Sequence, residues 1–151
     1  MPILAHLRQV TSTMNDTTTE SRAVSVVILK GGVGKSTTSM NLARQLAEHG
    51  KTLFADLDPN GHATNGLGFE AAYQGEINLG DVILEGDATP HDLIRSTEHE
   101  FDLLPSSNTL EDVEKDLAGA MQGSARIKSK IVDPLLGDEY EYIVFDCPAY
   151  P

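Results

Sequence analysis

The 151-residue chain is 40% apolar and carries 11 basic against 23 acidic side chains, a formal charge of −12. That length suits one domain with a real core, and the absence of any Lys/Arg cluster argues against direct nucleic-acid binding by this segment. Its single cysteine, Cys147, excludes an internal disulfide and any Cys-based zinc or iron–sulfur site within one chain. The acids are spread along the chain, which reads as a solvated acidic surface of the kind found in halophile proteins, with a simply acidic mesophilic protein as the alternative. No apolar run approaches the roughly 20 residues that span a bilayer, and residues 1–7 lack a charged, apolar secretory signal. A cytoplasmic protein is expected.

Residues 11–22 are small, polar and aperiodic, so residues 1–22 are expected to be a disordered leader, with Met14 as an alternative start. Residues 23–29 form a nearly continuous β-branched apolar run, as expected of a first strand buried on both faces of a parallel sheet. Residues 36–49 place Met40, Ala43, Leu46 and Ala47 on one helical face, with Gly50 as the stop. Residues 51–56 read as a second strand, and the strand–helix–strand order makes the two strands parallel if they share a sheet. A polar loop is expected to about Glu76, then a short helix over residues 79–84 with Asn78 as N-cap and Gly86 past its end. Thr89 and Pro90 suit another helical turn. Residues 101–105 are a third strand candidate, and a helix is expected from Thr109 with Asp112 as capping-box partner. Ile127, Ile131 and Leu135, with Val132 and Leu136 alongside, give the best-patterned amphipathic helix before Gly137. Residues 142–146 close the series as a fourth buried strand, so the alternation indicates an α/β layer fold.

Lys30, Gly31, Gly32, Val33, Gly34, Lys35, Ser36 and Thr37 stand between the first strand and the first helix, where a glycine-rich loop can wrap phosphates. The glycines allow angles that turn successive N–H groups inward, and the helix N-terminus adds positive potential. In that reading Lys35 bridges the β- and γ-phosphates, the Ser36 hydroxyl coordinates Mg²⁺, and Thr37 donates to the α-phosphate. The ordinary P-loop pattern has glycine where Leu29 stands, so this loop is the deviant form, with Lys30 ahead of the glycines. It resembles the ParA/MinD family of deviant-Walker-A P-loop ATPases. The resemblance implies a P-loop NTPase-like three-layer fold with a mostly parallel sheet, and ATP and Mg²⁺ as ligands. It also implies that Lys30 is catalytic, reaching the phosphates of a partner subunit in an ATP-bound homodimer.

Asp56, Leu57, Asp58, Pro59, Asn60, Gly61, His62, Ala63 and Thr64 resemble the Asp-x-Asp-Pro-Gln-Gly-x-Ala-Thr segment of ParA-type partition ATPases, with Asn60 in place of glutamine. By that resemblance Asp58 is catalytic and positions or activates the attacking water, Asp56 supports the metal shell, and the loop to Thr64 responds to the γ-phosphate. The strand ending at Asp146, Cys147 and Pro148 resembles the family's Walker-B strand, whose terminal aspartate holds Mg²⁺ through water. The bland readings are a surface Asx-Pro turn at Asp58 and an ordinary acid ending a strand at Asp146, with Cys147 a small buried neighbour. The five histidines have no metal-ligand spacing.

The resemblance runs from Ala23 to Pro151 and covers the first half of the family. The adenine contacts, much of the dimer face and the basic DNA-binding surface belong to the other half, so the sheet is expected to be incomplete at its C-terminal side, with an unpaired apolar edge. A nitrogenase iron protein is disfavoured because its cluster needs two cysteines per subunit, and MinD-type proteins differ after the second strand. The favoured function is an ATP-hydrolysing partition protein for a plasmid or chromosome. It would act as a homodimer when ATP-bound, with a ParB-type centromere-binding partner. Nonspecific DNA binding, and so nucleoid association, would come only through the other half, with no membrane partner. The alternatives are a truncated noncatalytic nucleotide-binding remnant and a MinD-type division-site ATPase.

Overall fold

The computed structural model describes residues 20–26, 35–84, 86–116 and 120–148. Residues 1–19 of the expected leader, residues 27–29 of the expected first strand, Lys30, Gly31, Gly32, Val33 and Gly34 lie outside the described residues, as do residues 149–151. The leader expectation ran too far at its end: Ser21 is buried, and Arg22 already pairs in a strand.

The strands are β1 (Arg22–Val26), β2 (Thr52–Asp56), β3 (Arg95–Ser96), β4 (Asp102–Leu104) and β5 (Tyr142–Asp146). They form one sheet in the order β1-β5-β2-β4-β3, parallel except where β3 runs antiparallel to β4. β2 and β5 are buried at every position, as their continuous apolar runs require. β1 differs from its expectation. Val24, Ser25 and Val26 are only half-buried, because β1 ends the sheet and has β5 as its one neighbour among the described strands. β3 had no signal in the sequence, since a two-residue exposed edge strand has neither length nor apolar alternation.

The sheet is covered on both faces. Alternation along β5 sends Ile143 and Phe145 to one side and Val144 to the other, and β2 does the same with Leu53 and Ala55 against Phe54. The Val144 and Phe54 side packs on α1 (Lys35–Ala47), through Ala43, Met40 and Leu46. The other side packs on α4 (Leu79–Ile83), α5 (Leu110–Asp116) and a long helical segment before β5. That segment starts as α6 (Ala120–Ile127), widens to a π-turn over Lys128–Val132 and ends as α7 (Asp133–Leu135). Pro134 has no N–H to bond back to the turn before it, which accounts for the widening. The expected apolar face survives the irregularity: Ile131, Val132, Leu135 and Leu136 are all buried.

Asn78 caps α4 as expected, its Oδ1 accepting the Gly80 N–H at 2.9 Å while Asp81 Oδ2 accepts the Asn78 N–H at 2.9 Å. At the 3₁₀ turn Pro90–Asp92 the Thr89 N–H and hydroxyl both donate to Asp92 Oδ2, at 2.8 and 3.2 Å. At α5 the expected box with Asp112 gives way to another arrangement. The Thr109 N–H donates to Ser107 Oγ at 3.1 Å, and its hydroxyl donates to Asn78 Oδ1 at 2.9 Å, tying α5 to α4. The expected polar loop to Glu76 also holds α2 (His62–Gly66) and α3 (Glu70–Tyr73), each about one turn and too short to show a helical period. Burial of Ala63 and Thr64 holds α2 in place.

Candidate functional site

The site follows from sheet parity. Phe54 and Val144 face α1, so two residues later Asp56 and Asp146 emerge on that same face at the C-terminal ends of β2 and β5. The strands are adjacent and in register there, with Asp56 opposite Asp146 and Val26 of β1 on the other flank. Both carboxylates are fully buried. Ligands of parallel α/β sheets bind at this carboxyl edge, where connections to neighbouring strands diverge.

α1 meets the edge with its first turn. Lys35 Nζ donates to Asp146 Oδ1 at 2.8 Å, to Asp58 Oδ2 at 3.4 Å and to the Cys147 carbonyl. Ser36 Oγ donates to Asp146 Oδ2 at 2.9 Å. Ser39, one turn on from Lys35, donates from Oγ to Asp146 Oδ1 at 3.1 Å and to the Lys35 carbonyl at 2.9 Å. Burial pulls the Lys35 ammonium toward its neutral form, but the hydrogen bond and charge of Asp146, with those of Asp58, outweigh it and raise its pKa above the usual lysine range. One ammonium thus serves two buried carboxylates, Asp146 and Asp58, with Asp56 buried beside them. Asp56 bears the consequence: burial pushes its carboxyl up to about 6, the Asp146 charge adds to that, and hydrogen bonds from Thr64 oppose it.

Asp58 sits in a turn that the local sequence specifies. The Gly61 N–H donates to the Asp58 carbonyl at 2.9 Å, closing a β-turn with Pro59 at its second position, where φ is pre-set. The Asn60 N–H donates to Asp58 Oδ1 at 3.0 Å, an Asx turn. Gly61 has φ 63°, and a Cβ there would lie 2.5 Å from Tyr73 Cε2. The Tyr73 hydroxyl donates to the Pro59 carbonyl at 2.6 Å, clamping the turn from outside. The Asx-Pro turn is therefore real, but it is not a surface feature: Asp58 is 6% exposed and points at Lys35.

Of the residues expected to form a site, the structure brings together Lys35, Ser36, Asp56, Asp58 and Asp146. Thr37 is exposed on α1, and Lys30, Gly31, Gly32, Val33 and Gly34 lie outside the described residues. Sequence reading missed Ser39, although its position four after Lys35 puts it on the same helix face. It also missed Ser106, which no local motif marks. Cys147 is buried as expected, and burial pushes its thiol up to about 12, so it supplies the site with its carbonyl rather than a thiolate.

The donor set is all oxygen. Among the described residues no three His, Cys, Asp or Glu side chains form a metal cage. A serine hydroxyl hydrogen-bonded to a strand-end carboxylate fits a small hard cation such as Mg²⁺, which is usually held by one or two carboxylates together with substrate phosphates. Ser36, Asp146 and Asp56 are the residues that would hold it.

A mostly parallel sheet whose first helix opens with a Lys-Ser pair directed at strand-end aspartates is the arrangement of P-loop NTPases. Residues 21–150 match the AAA domain family AAA_31. The chain is 37% identical over 129 residues to the sporulation initiation inhibitor protein Soj of Bacillus subtilis, covering 84% of this chain and 49% of Soj. It is 33% identical over 135 residues to the chromosome partitioning protein ParA of Myxococcus xanthus, covering 86% of this chain and 45% of ParA. Among solved structures it resembles an ATP complex of McdA from Cyanothece, with a TM-score of 0.74 and 27% identity over 87% of this chain and 49% of that one. It also resembles cobyrinic acid a,c-diamide synthase from Mycobacterium smegmatis with bound ATP analogue and magnesium, with a TM-score of 0.72 and 28% identity over 85% of this chain and 51% of that one. The chain belongs to the AAA_31 family and, within it, to the ParA/MinD-type P-loop ATPases. It spans about half the length of the curated relatives it matches.

Proposed function

We propose that this chain is the Mg²⁺- and ATP-binding part, residues 23–151, of a ParA-type partition ATPase. The observation that carries the reading is the convergence of Lys35, Ser36, Asp58 and Asp146 at the ends of adjacent parallel strands. Lys35 would exchange its carboxylate contacts for the β- and γ-phosphate oxygens, with the glycines completing the phosphate cradle, Thr37 serving the α-phosphate and Lys30 reaching the phosphates of a partner subunit. Ser36 and Asp146 would hold Mg²⁺, Asp56 supporting from beside them. When bound there, Mg²⁺ would supply neutralisation of the phosphate charge. Asp58, freed from Lys35, would orient the attacking water; phosphoryl transfer asks for positioning and electrostatics more than a strong base.

For the protein carrying this chain we extend the resemblance to a cytoplasmic, nucleoid-associated homodimer that would form with ATP and answer to a ParB-type partner. Among the described residues no helix is long and apolar enough to cross a membrane. The reading is tested by titrating the purified chain with fluorescent ATP and Mg²⁺ and following phosphate release. Binding should be lost in Lys35→Ala, and Mg-ATP turnover that survives this substitution would sink the assignment. Lys30→Ala should weaken ATP-dependent self-association more than it weakens nucleotide binding. Equal loss of both would count against its cross-subunit role.

A further inference from the structure

The loop carrying Asp58 is braced from the far side by a residue that the proposed chemistry does not use. β4 pairs with β2 so that Leu104 lies opposite Ala55, and the chain leaving β4 therefore passes alongside Asp56 and the turn beyond it. Two residues past Leu104, Ser106 is 1% exposed and inserted between the two ends of that loop. Its N–H donates to Thr64 Oγ1 at 2.9 Å, and its hydroxyl donates to the Asp58 carbonyl at 2.5 Å. Thr64 in turn donates from Oγ1 to Asp56 Oδ2 at 2.7 Å and from its N–H at 3.0 Å. The Asp58 N–H donates to Asp56 Oδ1 at 3.1 Å, which closes a ring through Asp56, Thr64, Ser106 and Asp58.

We propose that Ser106 is a positioning residue for Asp58: its hydroxyl fixes the main chain of the turn, and so the direction in which the Asp58 carboxylate points. The proposal rests on the reading of Asp58 given above. The geometry separates this role from general stability. The Asp58 carbonyl keeps the Gly61 N–H when the Ser106 hydroxyl is removed, and the Ser106 N–H to Thr64 is unaffected by the side chain, so no buried donor is orphaned. What is lost is the bond that ties the Asp58 main chain to the segment leaving β4. A carboxylate that aims an attacking water is sensitive to shifts well under 1 Å or so, whereas nucleotide affinity, carried by the phosphate loop and Lys35, is not.

The test uses the full chain and its Ser106→Ala and Ser106→Thr variants. Amide hydrogen exchange of Asn60, Gly61 and Thr64 should quicken roughly fivefold in Ser106→Ala, while amides of β2 and β5 stay within about twofold of the parent. Under Mg-ATP, kcat should fall about tenfold with KM within about twofold, and Ser106→Thr, which keeps the hydroxyl, should restore both readouts. Loop exchange that stays unchanged in Ser106→Ala overturns the proposal, as does a uniform rise across the sheet. A parent chain that binds Mg-ATP without turning it over would refute the hydrolytic reading, and the exchange comparison would still decide the role of Ser106.

Discussion

Replacing Lys35 with methionine keeps most of the side chain's volume and removes the ammonium that donates to Asp58 and Asp146. At an effective dielectric near 20, a unit charge pair at the observed 2.8 Å is worth about 6 kcal/mol and one at 3.4 Å about 5 kcal/mol, before desolvation is set against them. Desolvating the lysine and two carboxylates cancels much of this. Breaking one partner of a buried pair nonetheless costs about 3–5 kcal/mol, because the remaining charges stay buried and uncompensated. Lys35→Met should therefore lose about 3 kcal/mol at pH 8, a drop in Tm of about 6–12 °C for a chain of this size. Urea titrations followed by circular dichroism should show a lower midpoint with the slope unchanged. The pH dependence gives the stricter check. The native ammonium titrates above the unfolded value of 10.5, so its contribution is complete below about that pH and is lost as pH rises through the native pKa. The gap between parent and variant should stay level from neutrality to about pH 10 and then narrow. A gap below about 1 kcal/mol at pH 8, or one that does not shrink at alkaline pH, would refute the electrostatic account.

Three further outcomes are expected. The Asp56 carboxyl is held at about 6 in the native chain against 3.8 unfolded, so the native state binds its proton more tightly. Relative to Asp56→Asn, the parent should lose about 3 kcal/mol of stability as pH rises from about 4 to about 6, and a gap that is flat across that window would count against burial as the cause. Gly61→Ala must place a Cβ at φ 63° and 2.5 Å from the Tyr73 ring. It should cost about 2–3 kcal/mol in urea unfolding, and about 1 kcal/mol less when Tyr73 is also alanine, a coupling that vanishes if the ring is not the obstacle. Finally, the Cys147 thiol, pushed up to about 12 by burial, should react with Ellman's reagent at pH 8 on the order of a thousandfold more slowly in the native chain than in urea.

Those parts of the fold that rest on local pattern were legible before any coordinates. β2 and β5 announce themselves because strands buried on both faces are apolar throughout, and the start of α4 follows from Asn78 as its N-cap. Asp56 and Asp146 end such strands, and Asp58 was found through the motif that follows β2. Parity and register decide their meaning, and these belong to the sheet: nothing near residue 56 states that residue 146 will stand opposite it. Ser106 illustrates the limit most clearly. Its importance comes from β4 running beside β2, a pairing between segments about 50 residues apart, and a serine after a proline carries no trace of that. The short helices α2 and α3 were hidden for a related reason, α2 being held by burial of Ala63 and Thr64 and α3 tied to the turn by Tyr73, rather than by their own periodicity.

β5 lies between β1 and β2 in space but follows both, and the other described strands, in sequence. During synthesis, β1 and β2 would leave the ribosome early with no partner for each other, because the position that joins them belongs to Tyr142–Asp146. Pairing across so long an interval of chain makes sheet closure slow and leaves apolar edges uncovered in the meantime. The same strand delivers Asp146 to Lys35, so the centre of the sheet and the charge balance of the site would be completed in one late event. A nascent chain stopped short of residue 142 would hold Asp56, Asp58 and Lys35 and still have neither a continuous sheet nor the residue that draws them together.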